Sequence, residues 1–243
     1  MEYRSLLYEA YVSTHFAHVR EISPEAVERQ RKTLRHYFGR LLPQDRGARI
    51  LEFGCGYGVF LHFLRREGYQ NVEGVEISPE QVELARRLGI PNVTCADGVA
   101  FLQDRPERYD CVVAIDVLDH FPQGQVFDVL RAVRNALRPE GRLIVQAVNG
   151  SGPLAGRLRY GDYTHEFALT PDSARQLLGA AGFKDIRIFG TDPFVHGFRS
   201  LVRVLAWKTI KAVLWVYLVA ETGVTRGHIL TQNVIAVAWK PAP

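Results

Sequence analysis

Cysteine is scarce in this 243-residue chain: three residues, an odd number, with no C-x-x-C pair. That excludes a disulfide framework and a thiolate zinc ribbon. Cys55, Cys95 and Cys111 each lie in or beside an apolar run. They are therefore expected as small buried hydrophobes in a reducing cytosol. Concentrated basic charge is also missing. The net charge is only +4, and no Lys/Arg run with interleaved aromatics suggests a nucleic-acid groove. No secretory leader opens the chain, because Glu2, Arg4 and Glu9 interrupt its first ten residues. The most apolar stretch, Leu201 to Ala220, is broken by Arg203, Lys208 and Lys211, too often for a membrane span of roughly 20 residues. No compact spacing such as H-x-x-x-H recommends a metal site. No Pro/Gly/Ser linker and no internal repeat divides the chain, so a single globular domain with elaborations is expected.

What is present is a rhythm. Residues 1–46 read as a helical lead-in, in which Ser23-Pro24-Glu25 starts a helix with serine at the cap and proline at its first position. From Arg49 onward strands and helices alternate. Strands are expected from Ala48 to an end at Glu52, and at Asn71–Ile77, Val93–Asp97, Tyr109–Asp116 and Arg142–Val148, with helices after each of the first four. Repeated βα units demand an α/β fold, a doubly wound and mostly parallel sheet with helices on both faces. The rhythm breaks at an excursion over 149–170, rich in glycine, tyrosine and charge. A helix from Pro171, strands at Lys184–Phe189 and Gln232–Trp239, and an apolar, basic helical insertion over 192–227 complete the chain.

The densest chemistry lies in Leu51-Glu52-Phe53-Gly54-Cys55-Gly56-Tyr57-Gly58. A buried strand, a glycine turn and a helix follow one another there. Glycines let the backbone approach a ligand closely, and the helix start presents free N–H groups. The dinucleotide spacing G-x-G-x-x-G would need a third glycine at 59, which is valine. Four carboxylates fall at successive strand ends: Glu52, Glu76, Asp97 and Asp116. In an open parallel sheet that edge is where ligands bind. Glu76, about 20 residues past the glycines, suits two ribose hydroxyls. Asp97 with Gly98 suits an exocyclic adenine amine, and Glu52 with the fourth strand end suits an ammonium. Carboxylates without Lys or Arg repel a pyrophosphate and attract a cation, which favours a sulfonium-bearing amino-acid nucleoside over NAD or ATP.

These residues resemble the class I S-adenosylmethionine-dependent methyltransferases from about Arg49 to Phe189. Leu51 to Gly58 looks like the first motif, Gly74-Val75-Glu76-Ile77-Ser78 the ribose loop, and Ala96-Asp97-Gly98 the adenine edge. Asp116-Val117-Leu118-Asp119-His120-Phe121 resembles the fourth-strand motif, and Leu137-Arg138-Pro139-Glu140-Gly141 the passage to the fifth strand. Arg142 there replaces a common second glycine. The resemblance implies a seven-stranded sheet with an antiparallel last strand, and S-adenosyl-L-methionine held by Glu52, Phe53, Gly54, Cys55, Gly56, Glu76, Ile77, Asp97, Gly98, Asp116 and Val117.

Methyl transfer to a hydroxyl needs alignment, exclusion of water and a base. His120 is the leading candidate for that base; the alternative is a histidine that ties down its loop. His165, in the excursion, is a second catalytic or acceptor-contacting candidate. Tyr8, Tyr11 and His15 form a lid or simply pack. The expected acceptor is a hydroxyl of a small molecule or sugar, with a loose resemblance to bacterial glycan enzymes. The alternative is a quinone, phenol or other natural product, and a non-catalytic nucleoside-binding protein is the reading from another class. The helix over 198–220 packs on protein, pairs two copies, or lies at a membrane surface of an otherwise cytoplasmic enzyme.

Overall fold

The computed structural model describes residues 3–16 and 22–242, without the side chains of residues 3–5, 15 and 16; the side chain of His15 therefore lies outside the described residues. Seven strands form one sheet: β1 (Arg49–Phe53), β2 (Asn71–Glu76), β3 (Val93–Cys95), β4 (Tyr109–Ile115), β5 (Leu137–Val148), β6 (Lys184–Gly190) and β7 (Asn233–Trp239). Their order is β3-β2-β1-β4-β5-β7-β6. The pairs among β1 to β5 are parallel, and β7 is antiparallel to both β5 and β6. The order reverses between β1 and β4, which opens a crevice at their carboxyl ends.

Nine α-helices lie among the described residues: α1 (Tyr3–Glu9), α2 (Pro24–Phe38), α3 (Val59–Arg66), α4 (Pro79–Arg87), α5 (Gly98–Gln103), α6 (Gln123–Ala136), α7 (Ala155–Arg159), α8 (Pro171–Ala180) and α9 (Phe198–Thr222). Alternation along each strand decides the layers. Ile50, Cys111 and Val113 pack with α2, α3 and α4, whereas Leu51, Val112 and Ala114 pack with α5, α6 and α8. With both faces covered, a central strand must be apolar throughout, as the Cys111–Ala114 run is. The helix starts follow local chemistry. Ser23 accepts from the Ala26 N–H at 3.1 Å, and Thr170 and Ser173 satisfy each other's backbone reciprocally at α8.

Three expectations change. Cys95 is exposed, while Cys55 and Cys111 are buried; β3 is a short edge strand, so its last residue is not covered. The fifth strand begins at Leu137 and not at Arg142. The turn at Pro139-Glu140-Gly141 is present as Glu140 at φ 61°, but its backbone pairs with the chain leaving β7, through Glu140 N–H to Lys240 O and Lys240 N–H to Gly141 O. Lastly, α9 buries only Ser200 and Val204, so most of its apolar surface is left uncovered by the described chain. No described helix is long and apolar enough to cross a membrane.

Candidate active site

The glycine turn is built so that a side chain at its start has nowhere to go. Gly54 has φ 69°, and a Cβ there would sit 2.3 Å from Val117 Cγ2. Gly54 and Cys55 donate their N–H groups to the Val75 carbonyl at 2.9 and 3.0 Å, tying the turn to β2. The Gly56 N–H donates to Glu76 Oε2 at 2.8 Å, and the Ser78 N–H to Glu76 Oε1 at 2.9 Å. Glu76 is therefore a fixed acceptor whose two oxygens each keep further lone-pair capacity. Burial raises its pKa, and the Ser78, Gly56 and Ile77 N–H groups oppose that rise.

Glu52 is the more exposing feature of the chemistry, although it is 96 % hidden from solvent at 4 % relative exposure. The Leu61 N–H, in the first turn of α3, faces its carboxyl group, yet Oε2 is buried without a partner among the described residues. Burial pushes its pKa well up, the Leu61 N–H opposes this, and the charge of Glu76 adds to it. An incompletely satisfied buried carboxyl group is costly, and an ammonium reaching it through the cavity would remove that cost. Asp97 caps α5 by accepting from the Ala100 N–H at 2.8 Å. A Cβ on Gly98 would meet the Phe53 ring at 2.5 Å, so glycine keeps that floor flat. Asp116 stands at φ 52°, held by Gln146 Nε2, which donates to its two oxygens at 3.2 and 3.0 Å.

These residues surround a cavity of about 1020 Å³. It contains every sequence-derived candidate: Glu52, Phe53, Gly54, Cys55, Gly56, Glu76, Ile77, Asp97, Gly98, Asp116, Val117, His120 and His165. Drug-sized ligands occupy roughly 300–1,000 Å³, so there is room for a nucleoside cofactor and an acceptor together. Tyr8 and Tyr11 also line the cavity. Their segment is pinned to α4, where Glu80 accepts from the Val12 and Ser13 N–H groups at 2.8 and 3.1 Å.

At the other end of the cavity a hydrogen-bonded chain controls His120. Its Nδ1 lies 2.8 Å from Thr164 Oγ1, and Thr164 Oγ1 lies 2.6 Å from Asp162 Oδ1. Tyr11 donates its hydroxyl to Asp162 Oδ2. Burial alone would raise the Asp162 pKa, but bonds from Thr164 and Tyr11 hold it below the usual carboxylate value. Asp162 is thus ionised and can only accept, so the single Thr164 proton points to it. Thr164 must then accept from His120 Nδ1–H. This leaves Nε2 as the proton-accepting nitrogen of the neutral ring. His165 is oriented similarly, with Nδ1 donating to the Leu158 carbonyl at 2.9 Å, and its ring centroid is 4.7 Å from that of His120.

Sequence spacing gave no metal motif, but the fold gathers Asp119, His120 and His165 so that one ligand atom of each lies within 4.8 Å of the others. Asp119 is fully buried, and its Oδ1 has no partner among the described residues. Burial, reinforced by Asp116 and opposed by His165, pushes its pKa up to about 7. Thr164 and Asp162 were not singled out from the sequence. Their only signal was position, beside His165 in the 149–170 excursion, because nothing local predicts that this loop returns to the end of β4.

Comparison with known proteins agrees with this geometry. Residues 26–188 match a family described as a methyltransferase domain. A ubiquinone biosynthesis O-methyltransferase of Azorhizobium caulinodans is 30% identical over 188 residues, covering 70% of this chain and 73% of that protein. One of the same name from Xylella fastidiosa is 29% identical over 118 residues, 46% of each; the match thus spans about half the length of that relative. The crystal structure of an S-adenosylmethionine-dependent methyltransferase from Archaeoglobus fulgidus superposes with a TM-score of 0.66 at 21% identity, covering 86% of this chain and 94% of that one. With its domain match, its sheet order and its glycine turn, the chain belongs to the class I S-adenosylmethionine-dependent methyltransferases.

Proposed function

We propose that this chain methylates a phenolic hydroxyl on a quinone-type ring, with His120 as the general base. The observation that carries the reading is the chain His120–Thr164–Asp162, which sets the histidine tautomer. S-adenosyl-L-methionine, when bound, supplies an electrophilic methyl group with a neutral thioether as leaving group. Glu76 would accept from its ribose, Asp97 from its adenine edge, and Glu52 from its ammonium. His120 Nε2 takes the acceptor's proton, Nδ1 keeps its own, and the charge of Asp162 reaches the resulting imidazolium through Thr164.

Acidity favours a phenol over a sugar hydroxyl. A phenol near pKa 10 lies about 3.5 units above a histidine near 6.5, a mismatch of roughly 5 kcal/mol. A sugar hydroxyl is a much weaker acid than a phenol, so its mismatch with the same histidine is larger. The relatives named as ubiquinone biosynthesis O-methyltransferases support the same choice, so the quinone or phenol alternative replaces the glycan expectation.

The test is transfer of a labelled methyl group to catechols, hydroquinones and sugars. Phenolic acceptors should turn over, and His120→Ala should lower kcat by about 10²–10⁴ with cofactor affinity unchanged. Transfer to sugars alone would overturn the acceptor. Cofactor binding without any transfer would favour the non-catalytic reading.

A second reading rests on the orphaned Oδ1 of Asp119. His120 and His165 each hold Nδ1 in a hydrogen bond, the usual way a metal-ligating imidazole is oriented, and each could offer Nε2 beside Asp119. A divalent cation there would neutralise Asp119 and make an acceptor hydroxyl more acidic. Activity lost on chelation and restored by a divalent cation would select this reading. Activity indifferent to chelator would select the unaided base.

A further inference from the structure

We propose that α9 is a docking surface for an anionic lipid membrane, on which it lies flat. The helix has 25 residues, about 37 Å at 1.5 Å per residue. Its inward side is narrow: Ser200, Val204, Trp207, Lys211, Leu214 and Leu218 are buried or half-buried at helical spacing. Asp192 fastens that side, accepting from Trp207 Nε1 at 2.6 Å and from Lys211 Nζ at 2.9 and 3.0 Å. The opposite arc carries Phe198, Val202, Leu205, Val213, Val216 and Tyr217, each at least half exposed, with Phe198 at 81 %. Nothing in the described chain covers it.

Charge identifies the occupant. At 100° per residue, Arg199 and Arg203 border one flank of the apolar arc and Lys208 the other. None of the three is ion-paired among the described residues, and the only acidic residue of the helix is Glu221, in its last turn. An apolar strip between basic flanks is the pattern that enters a headgroup boundary, acyl chains below and phosphates beside the cations. A second copy of this chain fits less well. A two-fold pairing of the same strip would set these cations against each other without an anionic partner, and like-charge contacts oppose association. The helix is long enough but not apolar enough to cross a membrane, so the proposed orientation is along its surface.

From α9 the chain returns to β7, and Gln232 and Asn233, at the start of that strand, line the cavity wall. Docking itself does not depend on which acceptor is methylated.

The experiment is sedimentation of the intact protein with neutral phosphatidylcholine vesicles and with vesicles containing phosphatidylglycerol. Binding to the anionic vesicles at low salt, weakened at least tenfold by high salt, is expected. Val213→Glu with Val216→Glu should abolish it while the melting temperature and cofactor affinity stay unchanged. Arg203→Glu with Lys208→Glu should remove the preference for anionic lipid. Failure to sediment with anionic vesicles overturns the proposal, as does a solution dimer in light scattering that the Val213→Glu, Val216→Glu variant splits. Because the readout is vesicle binding, its failure leaves the methyl-transfer reading untouched.

Discussion

The two ends of the cavity are assembled in different ways. The end proposed to hold the cofactor is built from the turns that follow β1, β2, β3 and β4, so Glu52, Gly54, Gly56, Glu76, Asp97 and Asp116 recur at successive strand ends. Its polar groups meet nearby backbone: Glu76 is bonded to Gly56 and Ser78, and Glu52 faces the Leu61 N–H. The end proposed to hold the acceptor joins Tyr11 of the lead-in, His120 after β4, and Asp162 and Thr164 of the excursion through side chain to side chain bonds, with the His165 ring against His120. A site made from successive βα units inherits its geometry from a common fold. A site made from three distant segments can change its substrate by changing loops.

The contrast predicts that damage to the acceptor end appears in rate and damage to the cofactor end in affinity. After His120→Ala, the largest effect is expected at Thr164. Thr164→Val keeps the shape but removes the link between His120 and Asp162. Steady-state kinetics should show kcat falling by roughly 10², within the range a positioned base supplies, with the cofactor Kd unchanged and activity largely recovered in Thr164→Ser. A fall in affinity with kcat intact would break the distinction.

Gly54→Ala should do the reverse. A non-glycine residue held in left-handed backbone costs on the order of 1–2 kcal/mol, and its Cβ would strike Val117. Calorimetry should show cofactor binding weakened by at least roughly tenfold.

The smallest effect concerns stability. Asp119 keeps its proton in the folded state up to about pH 7, whereas the unfolded chain releases it near pH 4. Between those values the folded state binds more protons, so this group makes stability fall as pH rises. Urea titrations from pH 4 to 7, in the presence of chelator, should show a shallower fall for Asp119→Asn. An unchanged slope would mean that another group governs that window.

Much of the fold was legible because its determinants are local. Glycines, caps and period-two or period-3.6 apolar spacing act within a few residues, and Ser23, Thr170 and the Tyr109–Ile115 strand behave as their neighbours dictate. The exposure of Cys95 was not legible, since β3 lies at a sheet edge that local pattern does not mark. Nor was the exposed arc of α9, because an apolar helix face looks the same in sequence whether protein, lipid or another copy covers it.

Local preference was enough to fix the βα alternation, the acidic residues at the strand ends and the glycine turn, since each depends on dihedral preference and nearest neighbours. Long-range packing was needed to bring Thr164 and Asp162 to His120, to bury Asp119 beside two imidazoles, and to join Tyr11 to them. Those contacts link residues far apart along the chain, and their cost in loop closure is met by packing of the whole sheet, which no single segment encodes.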